Sequence, residues 1–266
     1  AFMDDCDSVS GQMWRFDIAE NATQKADLVS GGVIADLSTD GSAANNRRFY
    51  YPPDASLYNV NSEYVMVLAI GSGWRAHPLN DVVQDRFYSL RQYNGIFSAP
   101  SSYTTVTETD LYDSTNNLVV EGTDTEKAEA QESLSVNDSQ RKQGWFIRLE
   151  NTGEKVLGNS LTANKQIIFT TYEPTPPAVG SCQAGNGIAR AYIVDPLDAT
   201  PLLDMNVDGT VNKNDRSTKL KQGSIPASPK LIDTDAGKPV VLIGPEKLAP
   251  ADAGKQLFRT YWVEQQ

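Results

Sequence analysis

Residues 204–215 read Asp-Met-Asn-Val-Asp-Gly-Thr-Val-Asn-Lys-Asn-Asp. Counted from Asp204, side-chain oxygens fall at positions 1, 3, 5, 9 and 12, and Gly209 falls at position 6. That spacing is the one a Ca²⁺-binding loop needs, because a hard cation takes six to eight oxygens from a tightly curled chain. Asp204, Asn206 and Asp208 alternate, so a curled loop turns every second side chain inward. Gly209 permits a bend that a β-carbon would obstruct. Thr210 is placed to give its backbone oxygen, Asn212 to bind directly or through water, and Asp215 to close the shell. Mg²⁺ suits such a loop less, because it keeps more of its waters. The alternative is an Asx-rich turn with no metal.

The loop departs from a paired EF-hand. Its last ligand is Asp215 where Glu is usual, so closure must draw further inward, as in dockerin-type loops. Upstream, Asp195-Pro196-Leu197 is broken by proline, and downstream Arg216–Gln222 is polar, so flanking helices are not expected. Three carboxylates converge and repel one another without metal; Lys213 and Arg216 are expected to temper that acidity.

Other chemistry is thin. His77 is the single histidine, which excludes a histidine metal cluster and disfavours a Ser-His-Asp triad. No Cys-x-x-Cys pair occurs. Cys6 and Cys182 either form one long-range bridge or remain two buried thiols. Trp14, Trp74, Trp145 and Trp262 suit a core between sheets, or a quinone site. Arg47-Arg48 suits anchoring through Asp residues.

The elements that must carry the loop are strands. The chain has 266 residues, enough for a large core, and a net charge of −11 that argues against nucleic acid and anionic membranes as partners. No apolar run is long enough to span a bilayer. Ala1-Phe2-Met3 leads straight into Asp4-Asp5 with no secretory leader, so the expectation is a cytosolic chain or one trimmed from a longer precursor. One short helix is expected near 125–142, capped by Asp124. Elsewhere short apolar runs alternate with Gly, Asn, Asp, Ser and Pro clusters, the pattern of an all-β protein.

A weak repeat pairs an apolar run with a later aromatic strand. Ala1–Met3 precedes Met13–Ile18, Tyr64–Ile70 precedes Arg86–Leu90, Gln166–Tyr172 precedes Arg190–Asp195, and Val240–Ile243 precedes Phe258–Val263. Gly144–Leu149 is expected to begin another layer. Such hairpins predict a partial β-propeller of about four to five blades; a β-sandwich is the alternative. The opening blade is expected to be truncated at residue 1, with residues 1–266 the C-terminal part of a propeller domain and the calcium loop 204–215 inserted between strands. The Ser/Thr-rich stretch Thr104–Gln140 is expected to be a solvated rim insertion.

Several segments carry a family likeness. They are Gly11-Gln12-Met13-Trp14-Arg15-Phe16-Asp17, Arg47-Arg48-Phe49-Tyr50-Tyr51-Pro52-Pro53-Asp54, and Ala69–Leu79 running on to Gln84–Tyr88. Gly144-Trp145-Phe146 with Gly153–Leu157 and Phe169–Tyr172 is a further one, and Arg259-Thr260-Tyr261-Trp262 closes the chain. In order along the sequence, these resemble the C-terminal domain of the PilY family, the type IV pilus tip-associated adhesins and assembly factors. The resemblance implies a modified, quinoprotein-like propeller with a calcium loop that governs pilus extension and retraction. It implies no enzyme activity, minor pilins of the tip complex as partners, and export through periplasm and outer membrane to the cell surface. Contact with host or abiotic surfaces is implied for an N-terminal region outside this sequence. A quinoprotein-like periplasmic oxidoreductase and a carbohydrate-binding propeller are the competing readings.

Overall fold

A computed structural model describes residues 11–38, 42–175, 186–232 and 240–248. Its strands form four sheets. In the first, β1 (Gln12–Ile18) pairs antiparallel with β2 (Val29–Asp36). In the second, β3 (Asp54–Val60), β4 (Glu63–Gly71) and β5 (Arg86–Gln92) form an antiparallel meander. The chain then returns to the first sheet as β6 (Val106–Thr107), parallel to β2, and continues to β7 (Tyr112–Asp113). The strand β8 (Gly144–Arg148) pairs antiparallel with β5 and parallel with β7, giving the order β3-β4-β5-β8-β7.

The third sheet is built from β9 (Lys155–Val156), β10 (Leu161–Ala163), β11 (Gln166–Glu173), β12 (Ile188–Val194) and β13 (Ser217–Lys219). The fourth is β14 (Lys230–Ile232), β15 (Val240–Ile243) and β16 (Glu246–Leu248). The expected hairpins Tyr64–Ile70 with Arg86–Leu90, and Gln166–Tyr172 with Arg190–Asp195, are formed.

The sheets stack face to face, and strand alternation shows it. Odd residues Val67, Ala69, Phe87, Trp145 and Ile147 of the second sheet pack against Ile167, Phe169, Tyr192 and Val194 of the third. Even residues Leu68, Ile70, Tyr88, Leu90 and Phe146 pack against Met13, Ile34, Ala35 and Val106 of the first. The third sheet does the same, turning Ile168 and Ile193 onto Val241 of the fourth. Side chains on successive residues point to opposite faces of a strand, so a sheet buried on both faces must be apolar at every position. The second and third sheets meet through an aromatic stack, Phe87 on Phe169 at 3.7 Å between ring centroids and Phe169 on Tyr192 at 4.7 Å. Sheets stacked in this way give an all-β, partial propeller-like architecture.

Several expectations need correction. Gly144–Leu149 does not begin a new layer; it enters the second sheet beside β5, where Gly144 adopts φ +132° and a β-carbon would strike the Ser89 carbonyl. The helix near 125–142 is shorter: α1 (Leu118–Glu121) is followed by α2 (Asp124–Leu134). Thr123, not Asp124, is its cap, in a reciprocal box with Glu126, and Ser135 leaves the helical region. Thr104–Gln140 is not merely solvated, because Val106, Leu111, Ala130, Leu134 and Val136 are buried. Val240–Ile243 pairs with β14 and β16; Phe258–Val263, Ala1–Met3, Cys6 and Cys182 lie outside the described residues.

Trp145 fills the core between sheets, whereas Trp14 lies exposed beside Phe16. Trp74 packs against the Arg48 guanidinium, at 3.7 Å, and against the exposed His77 ring, at 4.1 Å and tilted, a packing role for both. Arg47 anchors as expected but through Glu108, at 3.1 Å, rather than through an Asp. No helix among the described residues is long and apolar enough to cross a membrane.

Candidate metal centre

The loop 204–215 connects β12 to β13 in the third sheet, yet the second sheet holds it in place. Directly before it, the proline-containing turn is pinned: the Pro196 carbonyl accepts from Ser89 Oγ at 2.8 Å and from Trp145 Nε1 at 2.9 Å. Arg91, buried, donates to the carbonyls of Leu134 and Leu197. Burial, with Asp198 adding to it, pushes the Asp195 carboxyl in this turn up to about 6.

Within the loop, oxygens satisfy backbone N–H groups. Asp204 accepts from the N–H of Asp208 at 3.2 Å and of Gly209 at 2.8 Å. Asn206 Oδ1 accepts from the Asp208 N–H at 2.9 Å, and Asn206 Nδ2 donates to Asp208 Oδ2 at 2.9 Å. Asp208 Oδ1 accepts from the N–H and the hydroxyl of Thr210, at 2.9 and 2.7 Å. These bonds hold the Asp208 carboxyl below its usual value.

Asp215 ties the two ends together. It is fully buried, and its Oδ1 accepts from the N–H groups of Met205 and Asn206, at 3.0 and 3.2 Å. Its Oδ2 accepts from the Asn212 N–H at 2.9 Å, completing a capping box on a 3₁₀ turn over Lys213–Arg216. Two backbone positions carry the curl. Gly209 has φ +90° with open space around it, so its backbone conformation, and not crowding, requires glycine. Val207 has φ +60°, a costly setting for a β-branched residue.

The structure thus brings Asp204, Asn206, Asp208 and Thr210 into one hydrogen-bonded curl and joins Asn212 and Asp215 to its start. It does not gather the carboxylates around a common point: among the described residues, no three His, Cys, Asp or Glu side chains are close enough to hold a metal ion. The donor set remains all oxygen, the chemistry Ca²⁺ selects, and Asp204, Asn206 and Asp208 sit on the exposed or half-buried side of the loop.

Sequence reasoning missed the residue that docks the loop. Arg216 does not face the acidic side chains. It is buried, and its Nε donates to the Ala199 carbonyl at 2.8 Å. Nη1 and Nη2 donate to the carbonyls of Thr115 and Ser114, at 2.9 and 2.7 Å. Burial lowers its pKa to about 10. Lys213 adds a second tether, its N–H donating to Glu121 of α1 and its ammonium lying 3.4 Å from Glu150. The only trace in the sequence was an arginine directly after the last acidic position; two of its three carbonyl partners, Thr115 and Ser114, lie about a hundred residues away.

No family model and no curated protein sequence matches the chain. Among solved structures, the crystal structure of the Pseudomonas aeruginosa PilY1 C-terminal domain aligns with a TM-score of 0.59 at 18% sequence identity, covering 90% of this chain and 55% of that one. The chain therefore spans about half the length of that domain's chain. At this identity the likeness is one of fold, and it bears out the resemblance carried by the sequence segments: the chain has the fold of the PilY1 C-terminal domain.

Proposed function

We propose that this chain is a non-enzymatic, calcium-binding module of a type IV pilus-associated protein at the pilus tip. In this reading it supports pilus biogenesis, the control of extension and retraction, twitching motility and surface adhesion. The observation that carries the proposal is a full set of loop oxygens, closed by a buried Asp215, in a chain with the PilY1 C-terminal fold. The PilY resemblance supplies the setting outside the cell, the route through periplasm and outer membrane, and minor pilins as partners.

Asp204, Asn206, Asp208, Asn212 and Asp215, with the Thr210 carbonyl, would hold the metal. Bound Ca²⁺ supplies the positive charge that offsets repulsion among three carboxylates. Asp204 and Asp208 must each turn an oxygen from a backbone N–H toward the loop centre. Asp215 is already fixed by three N–H groups, so it sets the frame on which the others close. A ligand stabilises a conformer only by its differential affinity, so the ordered loop is the state that metal favours. A loop so ordered presents one shape to a docking partner, and a loop without metal is freer to present others.

Calorimetric titration of Ca²⁺ tests this. The intact chain should release or absorb heat with one-site stoichiometry, and Asp208→Ala should show none. Equal binding by the variant would remove the metal assignment.

A further inference from the structure

The sequence holds two Asn-Gly pairs, Asn94-Gly95 and Asn186-Gly187. In such a pair the side-chain amide carbon can reach the next backbone nitrogen, and glycine has no β-carbon to crowd the ring that would form. Each pair is followed by isoleucine, Ile96 or Ile188, so the two are chemically alike and differ in setting. Gly187 is buried, and a β-carbon on it would fall 2.1 Å from the Tyr172 ring, which leaves little room beside its nitrogen. Asp208-Gly209 of the loop is restrained in another way, because the Gly209 N–H is held by Asp204 Oδ2 at 2.8 Å.

Asn94-Gly95 carries neither restraint. Asn94 is exposed, and among the described residues neither its side-chain amide nor the Gly95 N–H makes a hydrogen bond. Both residues line an open cleft of about 740 Å³, together with Arg15 of β1 and Tyr103. Arg15 lies beside the pair: its Nη2 donates to the Gly95 carbonyl at 2.6 Å and also to Asp17 Oδ1 at 2.6 Å. A cation there favours an ionised Gly95 nitrogen, and equally a new carboxylate on residue 94.

We infer that Asn94 is a self-modification site, where a neutral amide is exchanged for a carboxylate without an enzyme. The Gly95 nitrogen gives up its proton and bonds to Asn94 Cγ. The Cγ–Nδ2 bond breaks, and Nδ2 leaves as ammonia with that proton. The cyclic imide then takes up one water. Opening at Cγ gives aspartate; opening at the Asn94 backbone carbonyl gives isoaspartate, whose main chain runs through the former side chain and is one carbon longer. Nothing is oxidised or reduced, and water is the sole co-reactant.

The longer chain strikes a segment fastened at both ends to the first sheet. At one end Arg15 holds the Gly95 carbonyl, with Pro100 folded so closely that a β-carbon on Gly95 would lie 2.9 Å from its ring. At the other, the Tyr103 hydroxyl donates to Asp17 Oδ2 at 2.7 Å and lies 2.9 Å from the Ser30 hydroxyl. Gly95 at φ +68° sets the bend between them. An added backbone carbon displaces that bend, so conversion releases 94–103 and opens one wall of the cleft. The site does not depend on metal in the loop.

The test is incubation of the chain at mildly alkaline pH, folded and in urea, with proteolytic peptides followed by chromatography and mass spectrometry. In urea the two Asn-Gly pairs should convert at equal rates. In the folded chain Asn94 should convert about tenfold or more faster than Asn186, giving separable aspartate and isoaspartate peptides. No conversion at Asn94, or conversion no faster than at Asn186, overturns the inference. Amide hydrogen exchange reads the consequence: the isoaspartate form should lose about tenfold of its protection across 94–103, with the other sheets unchanged. Asn94→Gln, incubated alongside, cannot form the five-membered ring and should keep its protection. Unaltered exchange in the converted chain, or equal loss in Asn94→Gln, overturns the release of the segment.

Discussion

The two limbs of the loop are made of the same residue types and behave differently. Asp204–Thr210 is largely exposed and bonds almost entirely to itself. Asn212–Arg216 is fastened to the rest of the molecule: Asp215 and Arg216 are buried, and Arg216 and Lys213 reach Ser114, Thr115 and Glu121. A polar side chain stabilises its surroundings when burial makes its alternatives expensive, and does little when water competes. The first limb therefore has the freedom to respond to a ligand, and the second is the fixed frame against which the response is measured. A loop that was loose throughout would spend most of a ligand's binding free energy on ordering itself.

The largest effect should come from releasing the fixed limb. Arg216→Leu leaves the carbonyls of Ala199, Ser114 and Thr115 without a donor in a buried site. We expect a loss of about 3 kcal/mol by chemical denaturation, the scale of breaking a buried polar network. Both limbs should then exchange amide protons at similar rates. A loss below about 1 kcal/mol would mean that the docking contributes little.

A second buried acid sharpens what sets Asp215 apart. Asp85 is buried like Asp215, but only its Oδ1 is served, by the Ser72 hydroxyl at 2.7 Å, and its Oδ2 has no hydrogen-bond partner. Burial pushes its carboxyl from 3.8 to about 6. The folded chain then binds more protons than the unfolded chain across that window. Stability is highest below the unfolded pKa, falls as pH rises toward about 6, and is level above it. Asp85→Asn should flatten this slope and raise stability at pH 7.5 by about 2 kcal/mol, read from urea denaturation at several pH values. An unchanged pH profile would show that Asp85 ionises without cost.

Much of this was legible in the sequence, for identifiable reasons. Hairpins such as Tyr64–Ile70 with Arg86–Leu90 are local pairings between strongly apolar runs, and the runs themselves announce sheets covered on both faces. The loop was legible because its spacing is local. What escaped depended on distant parts of the chain. The antiparallel pairing of β8 with the distant β5 brings Gly144–Leu149 into a sheet that sequence order assigns elsewhere. Two of the three carbonyls that take Arg216 belong to Ser114 and Thr115, whose side chains say nothing of it. The helix stopped short because α2 buries only Ala130 and Leu134, too narrow an apolar face to carry it through Ser135–Gln143.

The smallest effect should come from the free limb. Val207 is exposed with φ +60°, and glycine adopts that conformation without strain. Val207→Gly should relieve about 1 kcal/mol of local strain, offset in part by a more flexible unfolded chain. The melting temperature should move by a few degrees at most. A large destabilisation would place Val207 in the frame rather than in the responsive limb.

The most direct measurement is residue-resolved amide hydrogen exchange across 204–216, with Ca²⁺ and with a chelator. Ca²⁺ should slow exchange at Asn206, Asp208, Gly209 and Thr210 by about tenfold or more, and leave the Lys213–Arg216 turn, already protected, nearly unchanged. Identical exchange in the two conditions, or protection gained evenly along the whole loop, would contradict it.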